Sequence, residues 1–246
     1  MHETRLMMGM PITVDIPAAV SHDIIDAVFE HFNAVDLRFS TYKPDSEVSR
    51  LNRGEIGLSA LSEQMLEVLA LVEETRKQTM GYFDLRRPDG SIDPSGIVKG
   101  WSILKAAEIV QHAGYADFYV DAGGDIQTAG HNADGEPWRV GVRSPFNPQE
   151  IVKVLALSGQ GIATSGTYVR GHHIYNPLKA SDQIVDVVSL TVIAKDVLEA
   201  DRFATAAFAM GQAGIEFIED CDGLEGYSIT PDGMATLTTG FEAFAL

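Results

Sequence analysis

The chain has 246 residues, of which 45% are hydrophobic, so it is long enough for one large domain or two small ones with a packed core. Its 18 Lys and Arg residues stand against 35 Asp and Glu residues, which gives a formal net charge of −17 at pH 7. That charge argues against nucleic-acid binding, because such binding needs cations that neutralise phosphates. An acidic protein that handles phosphates needs a divalent metal, backbone N–H groups or a few well-placed cations.

A single cysteine, Cys221, excludes a disulfide framework or a thiolate metal cluster within one chain. Its acidic neighbours in "IEDCDGLEG" are expected to raise the pKa of the thiol, which argues against a nucleophilic role. The N-terminal stretch "MHETRLMMGMPITVDIP" lacks the apolar run of a signal peptide or lipid anchor, and no segment approaches the ~20 apolar residues that span a bilayer. The expected localisation is therefore cytoplasmic, although a trimmed periplasmic form would have the same appearance.

The first half of the chain is predicted to be mainly helical. Residues 10–16, "MPITVDI", alternate in polarity and predict a strand, and a helical apolar stripe follows, with Ser21 and Asp23 as candidate capping residues. The stretch "STYKPDSEVSRLNRG" predicts a polar loop or a short helix. The next segment, "SEQMLEVLALVEETRKQTMG", predicts a second amphipathic helix that Gly81 ends.

The second half begins with a helix and continues mainly as strands. "IVKGWSILKAAEIVQHAG" predicts a third helix closed by Gly114, and four strand-like segments follow: "DFYVDAGGDIQTAG", "WRVGVRSP", "EIVKVLALSGQGIATSG" and "DVVSLTVIA". A further helix in "LEADRFATAAFAMG" and two short strands complete the chain. Early helices and later strands of antiparallel type predict an α+β fold, most economically a single compact domain over residues 1–246.

Two glycine-containing clusters have polar residues at spacings typical of turns. In "SIDPSGIVKGW", Asp93 precedes a turn that opens a helix, whose free N–H groups and Lys99 could bind an anion. The alternative is an Asp and Ser cap followed by a solvated lysine. In "DAGGDI", Gly123 and Gly124 permit a tight turn or close approach to a ligand, but the same letters are a common hairpin signal and do not match the dinucleotide fingerprint.

A third cluster, "IATSGTYVRGHHIYNP", places hydroxyl, imidazole and amide groups where they could converge on one sheet edge. "TSG" does not match the nucleophile elbow of Ser hydrolases, although a Ser, His and acid triad can be imagined. Adjacent histidines on a strand point to opposite sides, so one is expected to be functional and the other structural. The polar residues of this cluster are Thr164, Ser165, Thr167, His172, His173 and Asn176.

The fourth cluster is a carboxylate and a hydroxyl on one helical face. Asp201 and Thr205 lie four residues apart and therefore one above the other on the predicted helix. Together they could form part of an oxygen shell for Mg²⁺, which keeps waters and completes its sphere with substrate phosphates. The alternative is that Asp201 caps the helix while Thr205 bonds back to its own turn.

These clusters occur in an order that resembles the FAD:protein FMN transferase family, the ApbE-like flavin transferases. The likeness runs from Met8 to Gly211 and is specific as a combination, although no single motif is specific. The resembling segments are "MMGMPITV", "FSTYKPDSEVSRLN", "GYFD", "IDPSGIVKGW", "YVDAGGDIQTAG", "IATSGTYVRGHHIYNP" and "LTVIAKDVLEADRFATAAFAMG". The resemblance implies a two-lobed α+β domain, related to the T-fold, with a mostly antiparallel sheet and packed helices.

The resemblance also implies a reaction. Mg²⁺ bridges the pyrophosphate of FAD, AMP leaves, and FMN passes to a Thr or Ser hydroxyl of an acceptor flavoprotein. It places Asp201, Thr205 and the Gly96 carbonyl as metal ligands and His173 as the group that helps deprotonate the hydroxyl, a task suited to imidazole. The positions that match FAD contacts are Met8, Tyr42, Tyr82, Phe83, Asp84, Asp93, Lys99 and Tyr175.

Two departures from the family pattern leave other functions open. The stretch between Asp84 and Asp93 is much shorter than in typical members, and Asn176 stands where the family usually has Asp. The alternatives are an FAD pyrophosphatase that releases FMN and AMP to water, and a non-catalytic FAD-binding or storage protein. The acceptor is expected to present a neutral or basic face to this acidic chain.

Overall fold

An eight-stranded antiparallel sheet organises the protein in the computed structural model, which describes residues 1–87, 89–167, 174–179 and 183–246. In chain order the strands are β1 (His2–Met7), β2 (Met10–Asp15), β3 (Phe118–Ala122), β4 (Asp125–Ala129), β5 (Trp138–Arg143), β6 (Ile151–Leu157), β7 (Gly161–Gly166), β8 (Ser189–Ala194), β9 (Glu225–Ile229) and β10 (Ala235–Leu237). The large sheet has the order β1-β2-β3-β4-β7-β8-β9-β10, and β5 pairs with β6 in a separate ladder. Each of these neighbouring strands pairs antiparallel.

In the residues that the structure describes, six α-helices accompany the strands: α1 (His22–Phe39), α2 (Glu47–Asn52), α3 (Glu63–Gln78), α4 (Ser95–His112), α5 (Val197–Ala209) and α6 (Gly214–Glu219). Ser21 caps α1 as predicted, because its side chain accepts a hydrogen bond from the Asp23 amide. Gly114 follows α4 with φ of +93°, as its predicted role at the helix end requires. Within the described ranges, none of the helices has both the length and the apolar character needed to cross a bilayer.

The helices and the small ladder pack on opposite faces of the sheet. Buried residues of α1 and α4 pack against β2 and β3, and buried residues of α5 pack against β8. The β5–β6 ladder packs against residues of β7, β8 and β9. Strand β8 is consequently buried along its whole length, because both of its faces are covered. The predicted α+β architecture is confirmed.

Two glycines allow α5 to lie close to its neighbours. A Cβ atom on Gly100 of α4 would lie 2.7 Å from Cβ of Asp201 and 2.8 Å from the carbonyl oxygen of Val197. A Cβ atom on Gly161 of β7 would lie 1.9 Å from the Val197 amide nitrogen. These approaches fix α5 against both α4 and the sheet, which positions the polar residues of α5.

The structure also differs from the predicted elements in three places. Strand β1 and helix α6 were not predicted, and β1 is hard to recognise because none of its residues is fully buried. Helix α3 ends before the predicted glycine: Met80 and Gly81 both have positive φ, and the Gly81 amide donates to the Arg76 carbonyl at 2.8 Å. The left-handed turn therefore begins at a non-glycine residue.

Candidate functional site

The crossing of α4 and α5 brings together a carbonyl, a hydroxyl and a carboxylate. The Thr205 hydroxyl donates to the Gly96 carbonyl oxygen at 3.4 Å, and Ser165 Oγ of β7 lies 3.4 Å from Thr205 Oγ1. Asp201 Oδ2 accepts a hydrogen bond from the Gly100 amide at 2.7 Å. In a regular helix that amide points at the Gly96 carbonyl, so Asp201 lies beside this turn of α4.

The alternative interpretation, in which Asp201 caps the helix and Thr205 bonds back to its own turn, is wrong. Asp196 caps α5, because its Oδ1 accepts a hydrogen bond from the Glu199 amide at 2.9 Å. Asp201 lies inside the helix and is 3% exposed. The contacts of the Thr205 hydroxyl run to α4 and β7, so both side chains face neighbouring elements.

A buried charge cluster lies next to this oxygen-rich turn. Lys99 Nζ is 2.5 Å from Asp125 Oδ2 and 3.8 Å from Asp201 Oδ1. Asp125 is 2% exposed, and its Oδ1 accepts a hydrogen bond from the Thr164 amide at 3.1 Å. The interpretation of Lys99 as a solvated lysine is therefore wrong.

Electrostatics in this cluster disfavour the ionised form of Asp201. Burial raises the pKa of Asp201, and the nearby Asp125 carboxylate raises it further. Lys99 and the Gly100 amide act in the opposite direction. A cation beside Asp201 would favour its charged form in the same way as Lys99 does.

A short hairpin, described over residues 85–87 and 89–93, lies among the predicted FAD contacts Asp84, Asp93 and Tyr175. Arg86 and Ile92 form an antiparallel bridge, and Asn52 of α2 binds Ile92 through two hydrogen bonds of 2.9 Å, one to its carbonyl and one from its amide. Tyr175 crosses to the hairpin and donates its hydroxyl to the Arg86 carbonyl. Burial raises the pKa of Tyr175, and Asp84 raises it further.

The two carboxylates at the ends of the hairpin organise local backbone. Asp84 Oδ1 accepts from the Arg86 amide at 2.9 Å. Asp93 Oδ1 accepts from the Ser95 amide at 3.0 Å, and Asp93 also pairs with Arg87. The predicted Asp and Ser cap of α4 is wrong, because Pro94 occupies the N-cap and makes no side-chain cap hydrogen bond, while Asp93 precedes it.

Two cavities lie near these residues. One of about 580 Å³ lies between α2, α3 and the hairpin, and Asp84 contributes to its wall. Another of about 530 Å³ lies at the β1–β2 turn, where Met8 has φ of +53° and contributes to the wall with Asn33 and Asp36. Both volumes are in the range of small-molecule sites.

The remaining predicted flavin contacts differ in exposure. Phe83 is buried in the core between α3 and α4, where it lies against Gly96. Tyr82 is half-buried, and Tyr42 is 93% exposed on a turn after α1. His173, the predicted proton acceptor, lies outside the described residues, as does His172.

Asp125 was not predicted as a functional residue, although the sequence contains a signal for it. It directly follows the Gly123-Gly124 pair that the sequence marks as a turn. Its contacts are with Lys99, Thr164 and Asp201, which are distant in sequence and meet only in the folded chain.

Burial, rather than the acidic neighbours, is the main factor that raises the pKa of Cys221, although Asp220 and Asp222 contribute.

The fold and the arrangement of helices are those of the flavin transferase structures. The structure resembles the flavin transferase ApbE from Vibrio cholerae with a TM-score of 0.86 and 25% sequence identity, over 99% of this chain and 98% of that one. The ApbE family model matches residues 8–87 and 85–228, and the chain belongs to this family. The resemblance expected from the ordered motifs is confirmed.

Curated relatives of this chain carry the name FAD:protein FMN transferase. The protein of that name from Escherichia coli K12 is 29% identical over 177 residues, which cover 68% of this chain and 50% of the relative. The one from Haemophilus influenzae is 24% identical over an alignment 287 positions long, which covers 91% of this chain and 82% of the relative. The chain therefore spans about half the length of the Escherichia coli relative.

Proposed function

We propose that this protein transfers FMN from FAD to a Thr or Ser hydroxyl of an acceptor protein and releases AMP. The observation that carries the proposal is the meeting of Gly96, Asp201 and Thr205 where α4 crosses α5. The names of the ApbE relatives support FAD as the donor of the transferred group.

The donor set at the crossing fits Mg²⁺. A carboxylate, a hydroxyl and a carbonyl are oxygen donors, which this cation prefers, and substrate phosphates and waters would complete its coordination sphere. No group of three His, Cys, Asp or Glu side chains suited to a metal occurs in the part of the chain that the structure describes. When bound, Mg²⁺ would neutralise charge on the phosphate oxygens.

The chain's own residues supply binding and orientation. Lys99, whose ammonium lies between Asp125 and Asp201, places a positive charge beside the proposed phosphate position. The remaining proposed FAD contacts lie on the β1–β2 turn, on the turns after α1 and α3, and around the hairpin. They are Met8, Tyr42, Tyr82, Phe83, Asp84, Asp93 and Tyr175.

The proposed transfer is one substitution at the FMN phosphorus. The acceptor oxygen forms a bond to that phosphorus, the bond to the bridging oxygen breaks, and AMP leaves with that oxygen. The hydroxyl proton passes to His173, since a neutral imidazole is a suitable base near pH 7. An acceptor with a neutral or basic face around its Thr or Ser would suit a chain with net charge of −17.

The test combines product analysis with a mass measurement on the acceptor. The protein is incubated with FAD, Mg²⁺ and a purified flavin-carrying reductase domain that contains a Thr target, and with the same domain whose target Thr is replaced by Ala. The expected result is AMP release together with covalent FMN on the Thr domain only, and loss of both in EDTA. FMN and AMP in equal amounts without any modified acceptor would identify a pyrophosphatase instead.

A further inference from the structure

We propose that Asp125 is a positioning residue that holds Lys99 away from Asp201 and so keeps Asp201 Oδ1 open to the cation. This inference rests on the proposed function, because it concerns the cation site of that function. It assigns a role to a residue that is neither a predicted ligand nor a predicted FAD contact.

Lys99 lies asymmetrically between two buried carboxylates. Its Nζ is 2.5 Å from Asp125 Oδ2 and 3.8 Å from Asp201 Oδ1. The lysine is thus paired more closely with Asp125, which takes no part in the proposed metal shell. An ammonium moved closer to Asp201 would strengthen the ion pair there and would compete with a metal ion.

The second argument is that both carboxylates are oriented by backbone amides. Asp125 Oδ1 accepts from the Thr164 amide at 3.1 Å, which leaves Oδ2 directed at Lys99. Asp201 Oδ2 accepts from the Gly100 amide at 2.7 Å, which leaves Oδ1 as the oxygen on the lysine side. The oxygen that Lys99 would occupy without Asp125 is therefore the one that remains for a cation.

The third argument is charge. With both carboxylates ionised, Asp125, Asp201 and Lys99 carry one net negative charge in a buried cluster. Lys99 lies closer to Asp125 than to Asp201, so it mainly offsets the Asp125 carboxylate. Without the Asp125 carboxylate, Lys99 would pair with Asp201, and the net attraction for a cation would weaken.

A substitution pair separates this role from simple loss of charge. Asp125→Asn keeps an oxygen for the Thr164 amide and releases Lys99, so Mn²⁺ affinity should fall ~10–100-fold, the range seen for groups that orient metal ligands. The double variant Asp125→Asn/Lys99→Met removes the competing ammonium and restores the net charge. It should bind Mn²⁺ more tightly than Asp125→Asn alone and close to the unmodified protein, because substitutions of contacting residues couple rather than add.

The experiment is a titration of the purified full chain with Mn²⁺ alone, with free Mn²⁺ followed by its electron paramagnetic resonance signal. Asp121→Asn is the matched control, because Asp121 lies at the end of β3 beside the same turn, and its Oδ1 accepts a hydrogen bond from the Gly124 amide at 2.8 Å. It should change the affinity by less than about threefold. Circular dichroism melts verify that each variant is folded.

The outcomes distinguish this inference from the proposed function. If the unmodified protein binds no Mn²⁺, or Asp201→Asn binds it equally well, the proposed cation site is wrong and the inference fails with it. If Asp201→Asn abolishes binding but Asp125→Asn does not weaken it, the inference alone is overturned. A double variant as weak as Asp125→Asn would also overturn it, because Asp125 would then be a direct ligand.

A second variant keeps the inference testable if Asp125→Asn does not fold. Lys99→Met leaves Asp201 Oδ1 without the competing ammonium, so it should bind Mn²⁺ at least as tightly as the unmodified protein. Weaker binding by folded Lys99→Met would contradict the inference.

Discussion

The two sides of the candidate site differ in what holds them. Asp201, Thr205 and Gly96 lie on two long helices in direct contact, and a methyl group on Gly100 would not fit between them. On the other side, the hairpin is held by exposed hydrogen bonds with Asn52 and Tyr175. Under the proposed function, the cation ligands would therefore lie on packed helices, where geometry is fixed, and several FAD contacts would lie on or beside a loop.

The largest expected effect lies on the helical side. Asp201→Asn keeps the side-chain volume but removes the charge that the proposed cation needs. Since a bound metal contributes several kcal/mol to such reactions and about 1.4 kcal/mol corresponds to a tenfold rate change, AMP release from FAD should fall at least ~100-fold. Asp196→Asn is the matched control, because Asn caps a helix as well as Asp does. Equal losses in the two variants would show that α5 contributes only stability.

The next effect concerns the helix crossing itself. Gly100→Ala would place a methyl group 2.7 Å from Asp201 Cβ, so α4 and α5 must separate. Overpacking of this kind costs about 1–3 kcal/mol, which should exceed the gain of about 1 kcal/mol in helix propensity and lower the urea midpoint. Gly57→Ala is the control, since a Cβ atom there meets nothing within 4 Å. An unchanged midpoint in Gly100→Ala would contradict the tight crossing.

A smaller effect is expected where α2 holds the hairpin. Asn52→Ala removes both hydrogen bonds to Ile92, which should cost about 1 kcal/mol locally and speed hydrogen exchange at the Ile92 amide. The KM for FAD should rise several-fold while kcat changes little. Asn52→Asp retains the acceptor for the Ile92 amide, so its KM for FAD should lie between those of the unmodified protein and Asn52→Ala. A drop in kcat with an unchanged KM would mean that the hairpin takes part in the transfer step rather than in FAD binding.

The smallest effect is expected at Tyr175. Its hydroxyl donates to the Arg86 carbonyl, and burial raises the pKa of this phenol above its usual range. Tyr175→Phe removes one neutral hydrogen bond worth about 0.5–1.5 kcal/mol, so the Kd for FAD should rise by about threefold in a calorimetric titration. Tyr115→Phe serves as control, because that hydroxyl bonds the distant Ala19 carbonyl. A loss beyond a hundredfold would mean that Tyr175 takes part in the transfer step.

The sequence predicted the elements whose apolar residues are periodic. The helices α1, α3 and α4 and the strands β3 to β8 follow from such patterns. The spacing of Asp201 and Thr205 was also sufficient to place both on one helical face. Strand β1 was not predicted, because none of its residues is fully buried.

The charge cluster could not be predicted from local pattern. Lys99, Asp125, Thr164 and Asp201 belong to four elements that are far apart in the sequence, and their pairing depends on the approach of α4, α5, β4 and β7. A glycine inside a helix, such as Gly100, was the available hint, since it lowers helix stability and therefore indicates close packing. Its partner could be identified only from the folded chain.

The most direct test of the proposed cation-assisted handling of FAD is calorimetric titration of the purified protein with FAD, in Mg²⁺ and in EDTA, with FMN as the comparison ligand. Under the proposed function, Mg²⁺ should strengthen FAD binding, FMN should bind more weakly, and Asp201→Asn should lose the Mg²⁺ effect while Tyr175→Phe retains it. Equal affinity for FAD in Mg²⁺ and EDTA, with Asp201→Asn indistinguishable from the unmodified protein, would contradict the proposed cation site.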